Sequence, residues 1–240
     1  MRDDADPRHG SRPAPRHHGG VAAGSGAGPA VVTSAHPRVP PGQELHESLR
    51  VMHYGRPPQF RPDSWDFQVL GATEDGGATR WTYEDLMSLP QSDVTADLHC
   101  VTRYTVLDLV WSGVAAATIL ELAPPAPEAT HVLVWADRGY TANLRIDDLA
   151  SASSVLAHSC GGTPLPVEHG WPLRLVVPHR YAWKGPKWVR GFEYLTEDRR
   201  GFWEERGYHN IGDPWLEQRY SYQESDGDGP PLPHQHDHAG

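Results

Sequence analysis

Apolar and polar residues alternate along this chain in short blocks broken by Gly and Pro. Residues 65–70 (WDFQVL) form a compact apolar run ended by Gly71, which predicts a strand. Thr82-Tyr83-Glu84-Asp85 puts a hydroxyl at a helix N-cap with a carboxylate three residues on. That spacing predicts a short helix closed by Pro90. In 94–100, Val94, Ala96, Leu98 and Cys100 alternate with Thr95, Asp97 and His99; the period of two predicts a strand that turns Cys100 to the buried face. A helix is expected over 114–122, stopped by Pro124 and Pro125. Buried strands are expected over 131–136 and 173–177, the second ended by Pro178. Residues 188–195 are again rich in strand formers, and 202–206 predict one or two helical turns before Gly207. With no internal repeat and no strict βαβ rhythm, the pattern favours a mixed α+β domain over a doubly wound parallel sheet.

The 240 residues suffice for one sizeable domain. Glycine and proline crowd residues 1–42, seven of each, and recur in 223–240. Both ends therefore read as disordered, too poor in apolar surface to offset ordering entropy, which leaves a folded body over 43–222. A formal net charge of −10 with no long basic block argues against a nucleic-acid partner. No apolar stretch is long enough to span a bilayer. The N-terminal arm has neither a secretory apolar core nor an Arg pair, so the expected location is cytoplasmic, where free thiols are ordinary. His234, His236 and His238 read as a solvated polar tail or a loose metal-binding tail.

Two cysteines, Cys100 and Cys160, cannot make a disulfide framework or a four-thiolate zinc site. Cys100 reads as a small buried hydrophobe, or as a metal thiolate if a cation or metal stabilises its charge. Cys160, in Ser-Cys-Gly-Gly, reads as a turn residue without a role. The segment HGWPLRLVVPHRYAWKGPKWVRG (169–191) collects Arg174, Arg180, Lys184, Lys187 and Arg190 among Trp171, Tyr181, Trp183 and Trp188. It is either a solvated basic face beside an aromatic core, or an anion pocket where Gly185 lets backbone amides approach phosphate and aromatics flank a planar ring. Tyr140 follows the Asp137-Arg138-Gly139 turn, and His53 lies in Val51-Met52-His53-Tyr54-Gly55; neither is decisive alone. No glycine motif supports NAD, FAD or ATP, and there is no HExxH pair or nucleophile elbow. A thiol hydrolase built on Cys100 and a distant His is the one common nucleophilic alternative.

Together DLHCVTRY, GYTANL, EHGWPLRLVVPHRYAWKGPKWVRG and GFWEERGYHNIGDPW resemble the molybdopterin-binding domain of the sulfite oxidase family, above all its stand-alone bacterial members, over residues 45–220. The resemblance implies that family's fold, mixed β-sheets with short helices, and a cofactor of molybdenum held by molybdopterin. It implies Cys100 as the metal ligand. His53, Tyr54, His169, Arg174, Gly185, Pro186 and Lys187 would hold the pterin and its phosphate, and Tyr140 would be the active-site hydroxyl. Where sulfite-oxidising members carry an Arg before an Asn-His pair, this chain has Met52, and Arg103 is the expected substitute. The implied activity is two-electron oxygen-atom transfer on a small sulfur oxyanion or sulfoxide-like substrate. A non-catalytic cofactor-storage module is the alternative. The haem and dimerisation domains of vertebrate members have no counterpart here, so a separate electron-transfer partner and a monomer are expected. No export signal is seen, so the activity of the periplasmic branch that reduces protein methionine sulfoxide is not carried over.

Overall fold

The computed structural model describes residues 36–232. In chain order the first elements are β1 (Glu44–Leu45), β2 (Asp66–Gly71), β3 (Thr79–Thr82), α1 (Tyr83–Ser88), β4 (Gln91–Cys100) and β5 (Tyr104–Ala115). Next come α2 (Ala116–Leu122), β6 (His131–Ala136), β7 (Thr141–Arg145) and α3 (Ile146–Ala150). The last are β8 (Val155–Cys160), β9 (Thr163–Pro164), β10 (Arg174–Val176) and β11 (Val189–Leu195).

They build two mixed sheets. One runs β1-β5-β8-β10, with β4 also paired to β5 and β9 to β8; the other runs β3-β2-β11-β6-β7. β1 lies parallel to β5 and β2 parallel to β11, and every other pairing is antiparallel. The α+β expectation holds. In the second sheet, alternation turns Phe67, Val69, Val132, Val134 and Phe192 into the larger core, where they meet Leu86 of α1, Ile119 of α2 and Leu149 of α3. Each such side chain contributes about 1.5–3 kcal/mol by leaving water. A smaller core under the first sheet holds Leu98, Cys100, Val106, Trp111 and Val176.

Local chemistry sets the boundaries. Thr82 caps α1 as expected: its hydroxyl accepts from the Asp85 amide at 3.1 Å, and the Asp85 carboxylate accepts from the Thr82 amide at 3.0 Å. The helix expected from Val114 begins at Ala116, because Val114 and Ala115 still pair with Leu156 and Val155 of β8. Cys160 ends β8 opposite Trp111, and the Gly-Gly turn follows it.

The body is larger than the composition implied. On one side Arg38 forms a two-armed pair with Asp108, both contacts 2.9 Å. On the other, Arg200 pairs with Glu224 and donates to the Pro230 carbonyl at 2.7 Å, while the Asn210 amide donates to Glu224 at 2.7 Å. Residues 38–42 and 223–230, outside the 43–222 body expected from composition, thus carry polar anchors, and Pro40 is buried beside the first of them. Residues 1–35 and the His234, His236 and His238 tail lie outside the described residues. Among the described residues no helix is long and apolar enough to cross a membrane.

Candidate active site

Five segments converge on one cavity of about 360 Å³: residues 49–54, the β4–β5 turn, the β6–β7 junction, residues 169–188 and residues 202–208. Cys100, the last residue of β4, is buried in the smaller core yet lines this cavity. Its Sγ lies 3.2 Å from the Thr102 hydroxyl and 3.9 Å from the Met52 sulfur. Tyr104 stands beside it across the turn; burial first, and then the Cys100 charge, push that phenol up to about 12.

The anion cradle faces the same space, but only part of the basic segment builds it. Arg180 is spent on Asp148 (3.0 Å) and Arg190 on Asp66 and Asp137. Lys184, read as a pocket cation, is fully buried. Its Nζ donates to Asn143 Oδ1 (2.7 Å), Glu204 Oε1 (2.6 Å) and the Asn210 carbonyl (2.6 Å). Three acceptors around one buried amine offset the cost of taking it out of water. Arg174 and Lys187 remain, facing each other across an isolated β-bridge. Arg174 is buried over the Trp111 ring and donates one arm to the His169 carbonyl at 3.0 Å, while its Nε finds no partner among the described residues. Burial lowers its pKa to about 10, so it stays charged at neutral pH. Lys187 donates to the carbonyls of Met52 and Glu168, both at 2.6 Å. Burial and then the Arg174 charge lower it to about 7, where a bound anion would restore its proton. Burial, and then the same two cations, lower His169 as well.

Gly185 sets how closely a ligand can approach this turn. A Cβ there would meet the Leu175 carbonyl at 2.4 Å, so the Gly185-Pro186-Lys187 turn lies directly on β10 because position 185 carries no side chain. The Leu175 amide donates to the Pro186 carbonyl at 2.9 Å and fixes that turn. His53 donates from Nδ1 to the Gly55 carbonyl at 2.7 Å, with its ring edge-on to Trp188. Tyr54 packs on Phe202 and Trp203 at centroid distances of 5.2 and 5.9 Å, closing an aromatic rim over the cavity.

Nine of the ten expected site residues therefore line one cavity: Cys100, Tyr140, His53, Tyr54, His169, Arg174, Gly185, Pro186 and Lys187. Arg103 does not. It occupies the left-handed region (φ 71°) at the β4–β5 turn, and its exposed guanidinium points to the Gly42 carbonyl (3.4 Å) and Glu217 (4.0 Å). The cavity instead takes Arg50 and Arg138, which sequence reading passed over. Tyr140 lines the cavity with its hydroxyl already engaged. Its hydroxyl donates to the Trp183 carbonyl at 2.6 Å, and burial holds its pKa well above the ordinary value. Tyr208, unremarked inside GFWEERGYHNIGDPW, also lines the cavity. Burial, then Tyr220, then the charge of Cys100 raise its pKa.

A soft sulfur donor at one wall, an orphaned buried guanidinium nitrogen and a Gly turn beside a second cation fit a metal cofactor with an anionic tail. The fold and this site define an oxidoreductase of the molybdopterin-binding class. Residues 53–203 match the family described as the oxidoreductase molybdopterin binding domain, and the chain belongs to it. It is a molybdopterin-dependent oxidoreductase, with molybdenum as the metal. It is 42% identical to an oxidoreductase of Bacillus subtilis named YuiH over 77% of this chain and 93% of that protein. It is 28% identical to the catalytic subunit of a protein-methionine-sulfoxide reductase of Gluconobacter oxydans, covering 60% of this chain and 51% of that one. It is likewise 28% identical to sulfite oxidase of Arabidopsis thaliana, over 52% and 41%. The chain thus spans nearly all of the Bacillus relative, about half of the Gluconobacter one and about two fifths of the Arabidopsis one. Among solved structures, the sulfane dehydrogenase SoxCD of Paracoccus pantotrophus shares the fold, with a TM-score of 0.56 at 21% identity over 65% of this chain and 44% of that one.

Proposed function

We propose that this protein transfers an oxygen atom, with two electrons, to or from the sulfur of a small oxyanion or sulfoxide-like substrate. The observation that carries the reading is that Cys100 and the Arg174, Gly185 and Lys187 cradle line one cavity. Relatives named for sulfite oxidation and methionine-sulfoxide reduction support a sulfur substrate. When bound, the cofactor supplies the oxygen-atom transfer and the electron pair.

The chain's own residues do the rest. Cys100 holds the metal as thiolate. Arg174, Lys187, His169 and the Gly185-Pro186 turn grip the phosphate end, and His53 and Tyr54 cover the pterin. Tyr208, rather than Tyr140, presents a hydroxyl to the substrate oxygen and can lend it a hydrogen bond. Arg50 and Arg138, exposed at the mouth, meet negative charge on that oxygen in place of Arg103. The rim of Tyr54, Phe202, Trp203 and Tyr208 keeps bulk water from the reacting atoms. Electrons pass to or from a separate redox carrier.

The test is elemental molybdenum in the purified protein, with turnover of sulfite and of sulfoxides using artificial electron carriers. Cys100→Ser should keep the fold and lose the visible thiolate-to-metal absorption and most turnover, because a hydroxyl is a harder, poorer ligand. Full turnover in that variant would exclude Cys100 as the ligand.

A further inference from the structure

Met52 brings a readily oxidised thioether into contact with Cys100, and the proposed activity gives it no task. Its sulfur sits 3.9 Å from the Cys100 sulfur and 3.7 Å from the Thr102 hydroxyl, at the cavity wall. Its backbone is anchored beside the cavity, where the carbonyl accepts from Lys187 Nζ at 2.6 Å. Yet Met52 is 43% exposed, so an oxidant reaches it from solvent. Among the described residues the other methionine, Met87, is partly buried against the larger core, away from this cavity. A thioether that is exposed to solvent, carried on an anchored backbone and touching the metal-binding thiol is open to oxidation and stands at the centre that would reverse it.

We propose that Met52 is a reversible oxidation site that the protein repairs itself. A peroxide converts the thioether to its sulfoxide, releasing water: the sulfur gains one oxygen and loses two electrons. The new S–O group projects into the cavity beside Cys100 and Thr102 and excludes substrate. Repair is the reverse balance, in which sulfoxide, two electrons and two protons give thioether and water. The electrons come from the reduced cofactor centre, which an external donor recharges. This inference rests on the oxygen-atom-transfer reading above and adds an intramolecular substrate to it.

The experiment uses the molybdenum-loaded protein and reads mass rather than activity. Limited hydrogen peroxide treatment, digestion and peptide mass spectrometry should find the 16 Da oxygen adduct (the mass of one oxygen atom) mainly on the Met52 peptide rather than on the Met87 peptide. Dithionite with a viologen carrier should then remove the Met52 adduct within minutes. The adduct should persist in Cys100→Ser and in protein from tungstate-grown cells, which covers the case of a Cys100 variant that fails to fold. Two results would overturn the proposal: an adduct that survives reduction in loaded protein, or one that disappears equally without molybdenum. Turnover of dimethyl sulfoxide by the same untreated sample separates the failures. Turnover with a persistent adduct sinks self-repair alone, whereas no turnover and no molybdenum sinks the underlying reading.

Discussion

Tyr140 and Tyr208 line the same cavity and differ in what their hydroxyls face. The Tyr140 proton is committed to the Trp183 carbonyl, so Tyr140→Phe should cost about 1 kcal/mol of stability and leave turnover nearly intact. Tyr208→Phe should do the opposite, lowering kcat by about 10- to 100-fold with little change in melting temperature, if its hydroxyl meets developing charge. Steady-state kinetics and thermal melts on the two variants check this. Lys187 makes a second residue-scale prediction through pH. Its ammonium titrates near 7 instead of near 10.5, so between those values the unfolded chain binds the proton more readily, and the cofactor-free protein gains stability as pH rises. Anion binding runs the other way, since the charged ammonium is what grips. Sulfate, which stays divalent across this range, should bind the cofactor-free protein less tightly above pH 7, by up to about tenfold per unit, and the slope should flatten in Lys187→Met. Calorimetric titration at pH 6 and pH 8 measures it. The sequence listed nearly all of the cradle but could not say which hydroxyl or which cation was free. Five basic residues lie within 169–191, and only buried partners such as Asp148, Glu204 and Asp66 decide which are occupied.

At the scale of elements, the Gly185 turn is the piece with the least tolerance. Gly185→Ala sets a methyl 2.4 Å from the Leu175 carbonyl, and backbone cannot step aside as a flexible side chain can. The turn would lift off β10 at a cost of about 1–3 kcal/mol, and Lys187 would move with it. Molybdenum content should drop more steeply than the urea midpoint, which distinguishes a misplaced cradle from general unfolding. Elements with strong local codes were legible. The Thr82–Asp85 capping box and the apolar run of β6 appear where the pattern places them. β5 and β8 went unread for different reasons. β5 carries Asp108 at φ 56° and a polar Ser112 within its length, which blurs its alternation. β8 ends in a Cys followed by two glycines, which by composition is a turn. Arg103 lies away from the cavity, and nothing in the sequence announces its positive φ or its approach to Gly42 and Glu217.

For the whole molecule, the mixed architecture followed from the order of strands and the resemblance, while the reach of the late residues did not. Those residues form a relay. Glu224 binds the Asn210 amide, the Asn210 carbonyl binds Lys184, and Lys184 precedes Gly185 in the cradle turn. Lys184 would lose one of its three saturating contacts if Asn210 drifted. Trimming the chain after Tyr222, where composition alone would end it, removes no atom from the cavity. Such a clipped protein should nonetheless shed its metal during gel filtration, with the intact chain as the reference. Proteolytic nicking in that stretch would therefore act as a remote release catch, and a lysate preparation that looks pure and folded could be inactive for want of a few carboxy-terminal residues.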